Sequence, residues 1–172
     1  MPDEKKIVFE GFYKVYAGKL YGVAFRMVNN RQDAMDIVQE SFIRAYKNWE
    51  KFRNESAVST WLYKITLNLS YDFLKKRSRD GILPIEKDFE DRRLDECHEK
   101  DIINADIVDS IKKEIDNLTP KQKTVFILKC YEELTYEEIA RITNSRVGTV
   151  KATYFQVLQK IRKNLGGKKD GM

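Results

Sequence analysis

Residues 134–163, LTYEEIARITNSRVGTVKATYFQVLQKIRK, read as two helices joined by a tight turn, the second of them basic. A pair so joined is a helix-turn-helix, a device for laying its second helix in the major groove of DNA. The local chemistry supports that reading. Thr135 stands at a cap position, and Glu138 three residues on can close a capping box. Leu134 and Ile139 stand where a hydrophobic staple forms. Ile139, Ala140, Ile142, Val150 and Val157 supply a small core between the two helices. Asn144 falls where the turn needs a positive φ, which Asn tolerates better than most residues. The second helix then carries Thr149, Lys151, Ala152, Tyr154, Phe155, Gln156, Lys160 and Arg162. The alternative is a plain helical hairpin with a solvated basic face.

Composition bounds the rest of the chain. It has 172 residues, 42% hydrophobic and 34% charged, enough to bury a core under a heavily solvated surface. With only 3 Pro and 8 Gly, and helix formers throughout, the expected fold is all-α. The formal net charge of +5 suits a polyanionic partner. That charge is uneven: residues 1–77 carry net +5, residues 78–110 net −6, and residues 111–172 net +6. Two basic blocks therefore flank an acidic connector.

Two cysteines, Cys97 and Cys130, are too few for a disulfide framework and read as thiols in a reducing compartment. Cys97 lies beside His98, the single histidine, and two adjacent ligands do not make a zinc site. The chain has no metal-ligand spacing, no phosphate-binding Gly-rich loop and no nucleophile elbow, and one histidine in the connector leaves no His-based triad. The expectation is a non-enzyme without cofactor or metal. MPDEKK has no apolar run behind its charges, so no signal peptide is expected, and no stretch nears the ~20 apolar residues of a membrane span.

Along the chain, residues 7–29 read as one helix, with Phe9, Phe12, Tyr13, Tyr16, Leu20, Val23, Ala24 and Met27 at helical spacing. Gly11, Gly18 and Gly22 weaken that helix unless they let a neighbour approach closely. Residues 33–50 form the clearest helix, with Asp33 as cap and an apolar stripe of Ala34, Ile37, Val38, Phe42, Ala45, Tyr46 and Trp49. A separate face carries Asp36, Gln39, Glu40, Ile43 and Lys47. After a loop over residues 51–58, Ser59 or Thr60 is expected to open a third helix reaching about Arg77. Trp61, Leu62, Ile65, Leu69 and Phe73 are expected inside it, with Lys64, Asn68, Tyr71 and Lys75 opposite. From Asp80 to about Asn104 the pattern dissolves into an acidic connector, and a helix resumes near Ile102. Thr119-Pro120-Lys121-Gln122 is a strong helix start, with cap, first-position proline and box. GGKKDGM is expected to fray.

Two helical domains and an acidic linker imply DNA binding together with a second task, and here a resemblance enters. DAMDIVQESFIRAYKNWEKFRNESAVSTWLYKITLNLSYDFLKKR resembles the first domain of the extracytoplasmic-function sigma factors of bacterial RNA polymerase. LTPKQKTVF through LTYEEIA to VGTVKATYFQVLQKIRK, residues 118–163, resembles their second. The match runs over roughly residues 8–165. It implies a polymerase-binding and minus-ten domain over 1–78, a linker over 79–108, a minus-thirty-five domain over 109–166 and a tail over 167–172.

The resemblance also implies roles. Asp36, Gln39, Glu40 and Ile43 match the positions that dock on a coiled coil of the largest polymerase subunit. A polar, acid-bearing stripe with one exposed aliphatic suits such a partner, although an ordinary solvated face looks the same in sequence. Phe52 to Ala57 match the loop that holds a flipped minus-ten base, with Arg53, Asn54 and Ser56 as its candidate DNA contacts. Asn68 matches a strand-reading position, and Lys64, Tyr71, Lys75 and Arg77 are candidates for backbone and stacking contacts. Trp61 is read as core rather than as a wedge between DNA strands. Lys151, Ala152, Phe155 and Gln156 match base-reading and backbone-contacting positions of the recognition helix, with Arg146, Thr149, Lys160 and Arg162 on phosphates. Many members have Ser and Arg after the lysine, where this chain has Ala152, Thr153 and Tyr154, and many have a basic residue at Gln156. No promoter consensus is therefore implied. The acidic linker either mimics RNA's charge in a basic polymerase channel or is a plain tether. The implied partners are core polymerase, promoter DNA and an anti-sigma factor, for a cytoplasmic protein that is monomeric when free and not inserted in a membrane. A stand-alone helix-turn-helix regulator, dimeric and binding DNA without polymerase, is the alternative.

Overall fold

The computed structural model describes residues 2–53, 56–81 and 105–166. Among these residues are seven α-helices, one 3-10 turn and no strand, so the architecture is all-α. The chain divides into two compact units, Met1–Asp88 and Phe89–Met172. Most of the acidic connector, with Cys97, His98 and the expected helix start at Ile102, lies outside the described residues, as does the tail.

In the first unit, α1 (Pro2–Val28), α2 (Arg31–Asn48) and α3 (Val58–Arg79) each pack on the other two. The C-terminal half of α1 is the centre of this core: Leu20, Val23, Ala24, Met27 and Val28 are almost wholly buried. Nearer its start, Phe9 meets Phe12, Tyr46 and Trp49 edge-on at 5.2–5.6 Å between centroids. Such edge-to-face geometry suits aromatic rings whose faces are negative and edges positive. Tyr13, expected inside, is 55% exposed.

Gly11 and Gly18 do not serve a close helix approach. A Cβ at either would meet nothing within 4 Å, and both are exposed. Glycine inside a helix costs conformational entropy with no gain in packing here. Gly11→Ala and Gly18→Ala are therefore each expected to stabilise the first unit by about 0.5–1 kcal/mol. Urea titration followed by tryptophan fluorescence would show the midpoint rise.

Asn29 turns the chain at φ 54, and Asn30 rather than Asp33 caps α2. The Asn30 side chain accepts from the Asp33 backbone N–H at 2.9 Å, so the helix starts two residues earlier than expected. The carboxylate of Asp33 instead sits in the first turn, where the helix dipole favours it. At the other end, Trp49–Lys51 tightens into a 3-10 turn.

The third helix also starts early. Ala57 is its N-cap and makes no side-chain capping bond, while Thr60, an expected opener, is buried. Its inward face is rotated from the expected one. Leu62, Tyr63, Thr66, Leu67 and Ser70 are buried, whereas Trp61, Ile65, Leu69 and Phe73 are only half-buried. Hydroxyl pairing makes this possible. Thr66 Oγ1 donates to Ser41 Oγ at 3.0 Å, and Ser41 Oγ donates to the Ile37 carbonyl at 2.7 Å. Ser70 Oγ donates to the Thr66 carbonyl at 2.8 Å. A buried hydroxyl with a partner avoids the desolvation penalty that would otherwise expel it.

In the second unit, α7 (Val147–Gly166) packs on α4 (Ala105–Asp116), α5 (Pro120–Cys130) and α6 (Tyr136–Thr143). Ile115, Leu118, Phe126, Val157 and Ile161 form one buried cluster. Both expected capping boxes are present, Thr119 with Gln122 and Thr135 with Glu138, and Pro120 stands in the first turn of α5. Polar ties fix α4: Lys123 Nζ lies 3.7 Å from Asp116 Oδ1, and Asn164 Nδ2 donates to Glu114 Oε2 at 2.6 Å.

Candidate functional site

The helix-turn-helix of the second unit is set by its caps. Thr135 Oγ1 accepts from the Glu138 N–H at 3.2 Å, and Glu138 Oε2 accepts from the Thr135 N–H at 2.8 Å. Asn144 ends α6 in the left-handed region, φ 51 and ψ 46, and Ser145 N–H bonds back to the Ala140 carbonyl at 2.9 Å. This turn aims α7 across α6. Ile139, Ala140, Ile142, Val150 and Val157 all lie buried beneath it.

The opposite side of α7 is open. Thr149, Lys151, Ala152, Phe155, Gln156, Lys160 and Arg162 are exposed, and so is Arg146 just before the helix. Phe155 is 58% exposed, a large apolar ring held out among polar neighbours. A row combining an aromatic ring, an amide, an ammonium and a small residue can meet base edges and the thymine methyl. Lys160 is partly committed, since its Nζ donates to Gln122 Oε1 at 3.2 Å. Tyr154 belongs to the interior instead. It stacks on Phe126 at 6.5 Å, and its Oη lies 3.3 Å from the half-buried Cys130 Sγ. Sequence reasoning passed over Tyr136, whose ring lies under two lysines, Lys129 Nζ at 4.6 Å and Lys151 Nζ at 5.6 Å from its centroid.

In the first unit, Lys64, Asn68, Tyr71 and Lys75 share the face of α3 turned from the core. Asn68 and Lys75 are exposed, Lys64 and Tyr71 half-buried. The loop before α3 is rooted by an aromatic stack. Phe52 lies 4.8 Å from Trp61 and 5.5 Å from Trp49, with rings near parallel in both pairs. Arg53 is exposed and Ser56 half-buried, while Asn54 lies outside the described residues. Arg77 donates from Nη1 to the Val28 carbonyl at 3.4 Å, so it also ties α3 to the end of α1.

The stripe on α2 lies on the side of the helix away from its buried residues. Asp36 and Gln39 face solvent, Glu40 is half-buried, and Ile43 is 40% exposed. Asp36 Oδ1 accepts from Gln32 Nε2 at 2.9 Å, and Glu40 Oε1 pairs with Arg44 Nε at 2.8 Å. Such exposed pairs one helical turn apart contribute little to stability and are easily exchanged for a partner. Met35, 56% exposed beside Asp36, adds a second large apolar side chain to this side of α2 that the sequence pattern did not single out.

Among the described residues, no cluster of three or more His, Cys, Asp or Glu is arranged to hold a metal ion. No helix among them is long and apolar enough to cross a membrane.

Two family models match the chain: Sigma-70 region 2 over residues 12–80 and Sigma-70, region 4, over residues 109–161. The chain is similar to the ECF RNA polymerase sigma factor SigW of Bacillus subtilis, 34% identical over 165 residues, 91% of this chain and 88% of the relative. It is 35% identical over 159 residues to the ECF RNA polymerase sigma-E factor of Haemophilus influenzae, covering 87% of this chain and 83% of the relative. In fold it is like the sigma factor RpoE of Bartonella quintana, solved with the anti-sigma factor NepR, at TM-score 0.71 and 23% identity, covering 92% of this chain and 96% of that one. CnrH, solved with the cytosolic domain of CnrY, is alike at TM-score 0.70 and 17% identity, covering 94% of this chain and 90% of that one. Both sigma-70 regions in order, and identity above a third along nearly the full length of curated relatives, leave one assignment: the chain belongs to the extracytoplasmic-function sigma factors, alternative sigma factors that direct RNA polymerase to promoters.

Proposed function

We propose that the two units divide the work of promoter recognition. The first, over residues 1–78, binds polymerase core through Asp36, Gln39, Glu40 and Ile43 on α2. It engages the minus-ten element through the loop at Arg53, Asn54 and Ser56 and through Lys64, Asn68, Tyr71 and Lys75 on α3. The second, over residues 109–166, reads the minus-thirty-five element from α7. Lys151, Ala152, Phe155 and Gln156 face base edges, and Arg146, Thr149, Lys160 and Arg162 hold phosphates. The observation that carries this division is the exposed row on α7, where Phe155 stands 58% exposed between charged and amide side chains above a complete helix-turn-helix core. An apolar ring left in water at that position suits contact with a base.

The protein performs no catalysis itself in this reading, acts in the cytoplasm, and is held in check by an anti-sigma factor that covers its polymerase-binding faces. Multi-round transcription with purified core polymerase on a pooled promoter library tests it. New start sites sharing two spaced upstream elements are the expected result. DNA binding and dimerisation without core, and no new start sites, would favour a stand-alone regulator.

Base reading from α7 has its own signature. Lys151→Ala or Gln156→Ala is expected to change preference at single positions of the upstream element by about 1–3 kcal/mol. Start-site output across a randomised element would show it. A loss uniform over all sequences would make those residues phosphate contacts.

A further inference from the structure

We infer that Tyr136 is a specificity-determining positioning residue for the upstream promoter element. Its ring and the neighbouring Lys129 fix where the Lys151 ammonium is presented. The inference rests on the reading of Lys151 as a base contact.

Tyr136 is the first residue of α6, immediately after the Thr135 cap. Its ring is held from several sides. Tyr154 of α7 meets it edge-on at 6.2 Å, and Tyr154 is itself stacked on the buried Phe126. Lys129, in the last turn of α5, places Nζ 4.6 Å from the ring centroid and donates to the Leu134 carbonyl at 3.1 Å. Ring and Lys129 are thus anchored to α5, to α7 and to the loop entering α6.

Lys151 is different. It is exposed, and its Nζ stands 5.6 Å from the same centroid. A lysine is a point charge on a flexible stem, able to sample many positions in water. Attraction to the ring face draws the ammonium toward α6. The anchored Lys129 charge near the same ring opposes a closer approach. The two effects together narrow the positions that Lys151 samples before DNA arrives. An ammonium restricted in this way discriminates among base edges better than one that reaches any nearby acceptor. Tyr136 touches no base in this scheme and acts only through Lys151.

The test uses the full chain with saturating core polymerase. Transcripts are counted from promoters randomised in the upstream element. Tyr136→Leu is expected to lower discrimination at the positions read by Lys151 by about two- to fivefold, the size of one exposed cation–π contact. Tyr136→Phe, which keeps the ring, is expected to retain it. In a Lys151→Ala background, Tyr136→Leu should have no further effect at those positions. Equal losses in both backgrounds, or a loss uniform over sequence, would make Tyr136 merely structural and overturn the proposal. So would a Phe variant as impaired as the Leu variant, because the hydroxyl would then carry the effect. If Lys151→Ala leaves base preference unchanged, the base-reading role of Lys151 fails and the positioning role fails with it. If Lys151→Ala alters preference but Tyr136→Leu does not, only the positioning role is lost.

Discussion

Ile139→Ala is expected to destabilise the second unit by about 2–5 kcal/mol, the range for truncating a large buried aliphatic. Ile139 is wholly inaccessible to solvent. It sits on α6 just after the residue that closes the capping box, buried where α6 packs on α5 and α7. Alanine there leaves a void that the short α6, Tyr136–Thr143, has few other buried residues to collapse into: only Ala140 and Ile142. Against a typical domain stability of about 5–15 kcal/mol, a loss of that size is a large fraction of the whole. The chain offers a direct readout, because both of its tryptophans, Trp49 and Trp61, belong to the first unit. In a urea titration of the variant, the helical signal should lose part of its amplitude early while the tryptophan transition stays in place. A shift of both transitions together would show that the two units unfold as one.

The features legible in the sequence were those decided within a few residues. Both capping boxes and the left-handed Asn144 follow from side chains reaching their own backbone, and no distant contact is needed to select them. The core between α6 and α7 was legible for a related reason: Ile139, Ala140, Ile142, Val150 and Val157 are all aliphatic and all buried, so spacing and hydrophobicity point the same way. Where two local solutions compete, the pattern was misread. Asp33 and Asn30 are both good caps, and the choice went to Asn30 because Asn29 already turns the chain at φ 54. The loop before α6 hid another such point, since Glu133 takes φ 52 without the Gly or Asn that would announce it.

The inward face of α3 failed for a tertiary reason. Thr66 and Ser70 look polar in sequence; Thr66 finds its partner in Ser41, a residue of a different helix, and Ser70 in the Thr66 carbonyl one turn back. Hydrophobic periodicity has no means of seeing a hydroxyl that finds its partner across an interface. The same limit applies to the candidate surfaces. On α7 the outward row was readable from period, because a helix turned to its core on one side must show the other to solvent; on α3 the same reading left Lys64 and Tyr71 half-buried. Tyr136 was not readable. Its place beside Lys151 arises from the crossing of α6 and α7, and Lys129 joins them from α5. Met35 escaped because a single exposed methionine is unremarkable until the polar stripe beside it is seen as a surface.

Asp36→Arg combined with Gln39→Ala is expected to weaken the affinity for polymerase core by about 2–4 kcal/mol, the range for disrupting a charged pair enclosed in an interface. Both side chains are exposed on α2, and the buried face of that helix, Ala34, Ile37, Val38, Ser41, Phe42 and Ala45, is untouched by the change. Among the described residues, the tie lost is the Gln32–Asp36 bond, an exposed pair one turn apart. Surface substitutions of this kind change stability by no more than about 0.5 kcal/mol, so the effect on core binding cannot be ascribed to unfolding. The tryptophan transition of the same unit supplies the check. Ile43 and Met35 stay exposed and unaltered beside the changed positions, which is why the expected loss is large but not complete. Titration of labelled chain into core polymerase at fixed salt measures the change, and repeating it at higher salt should shrink the difference if charge is the cause. At saturating core, preference among upstream elements should stay as it was, since the contacts proposed for them lie on α7. Unchanged core affinity would remove this face of α2 from the polymerase interface. An altered upstream preference would mean that the same face also governs how the second unit meets DNA.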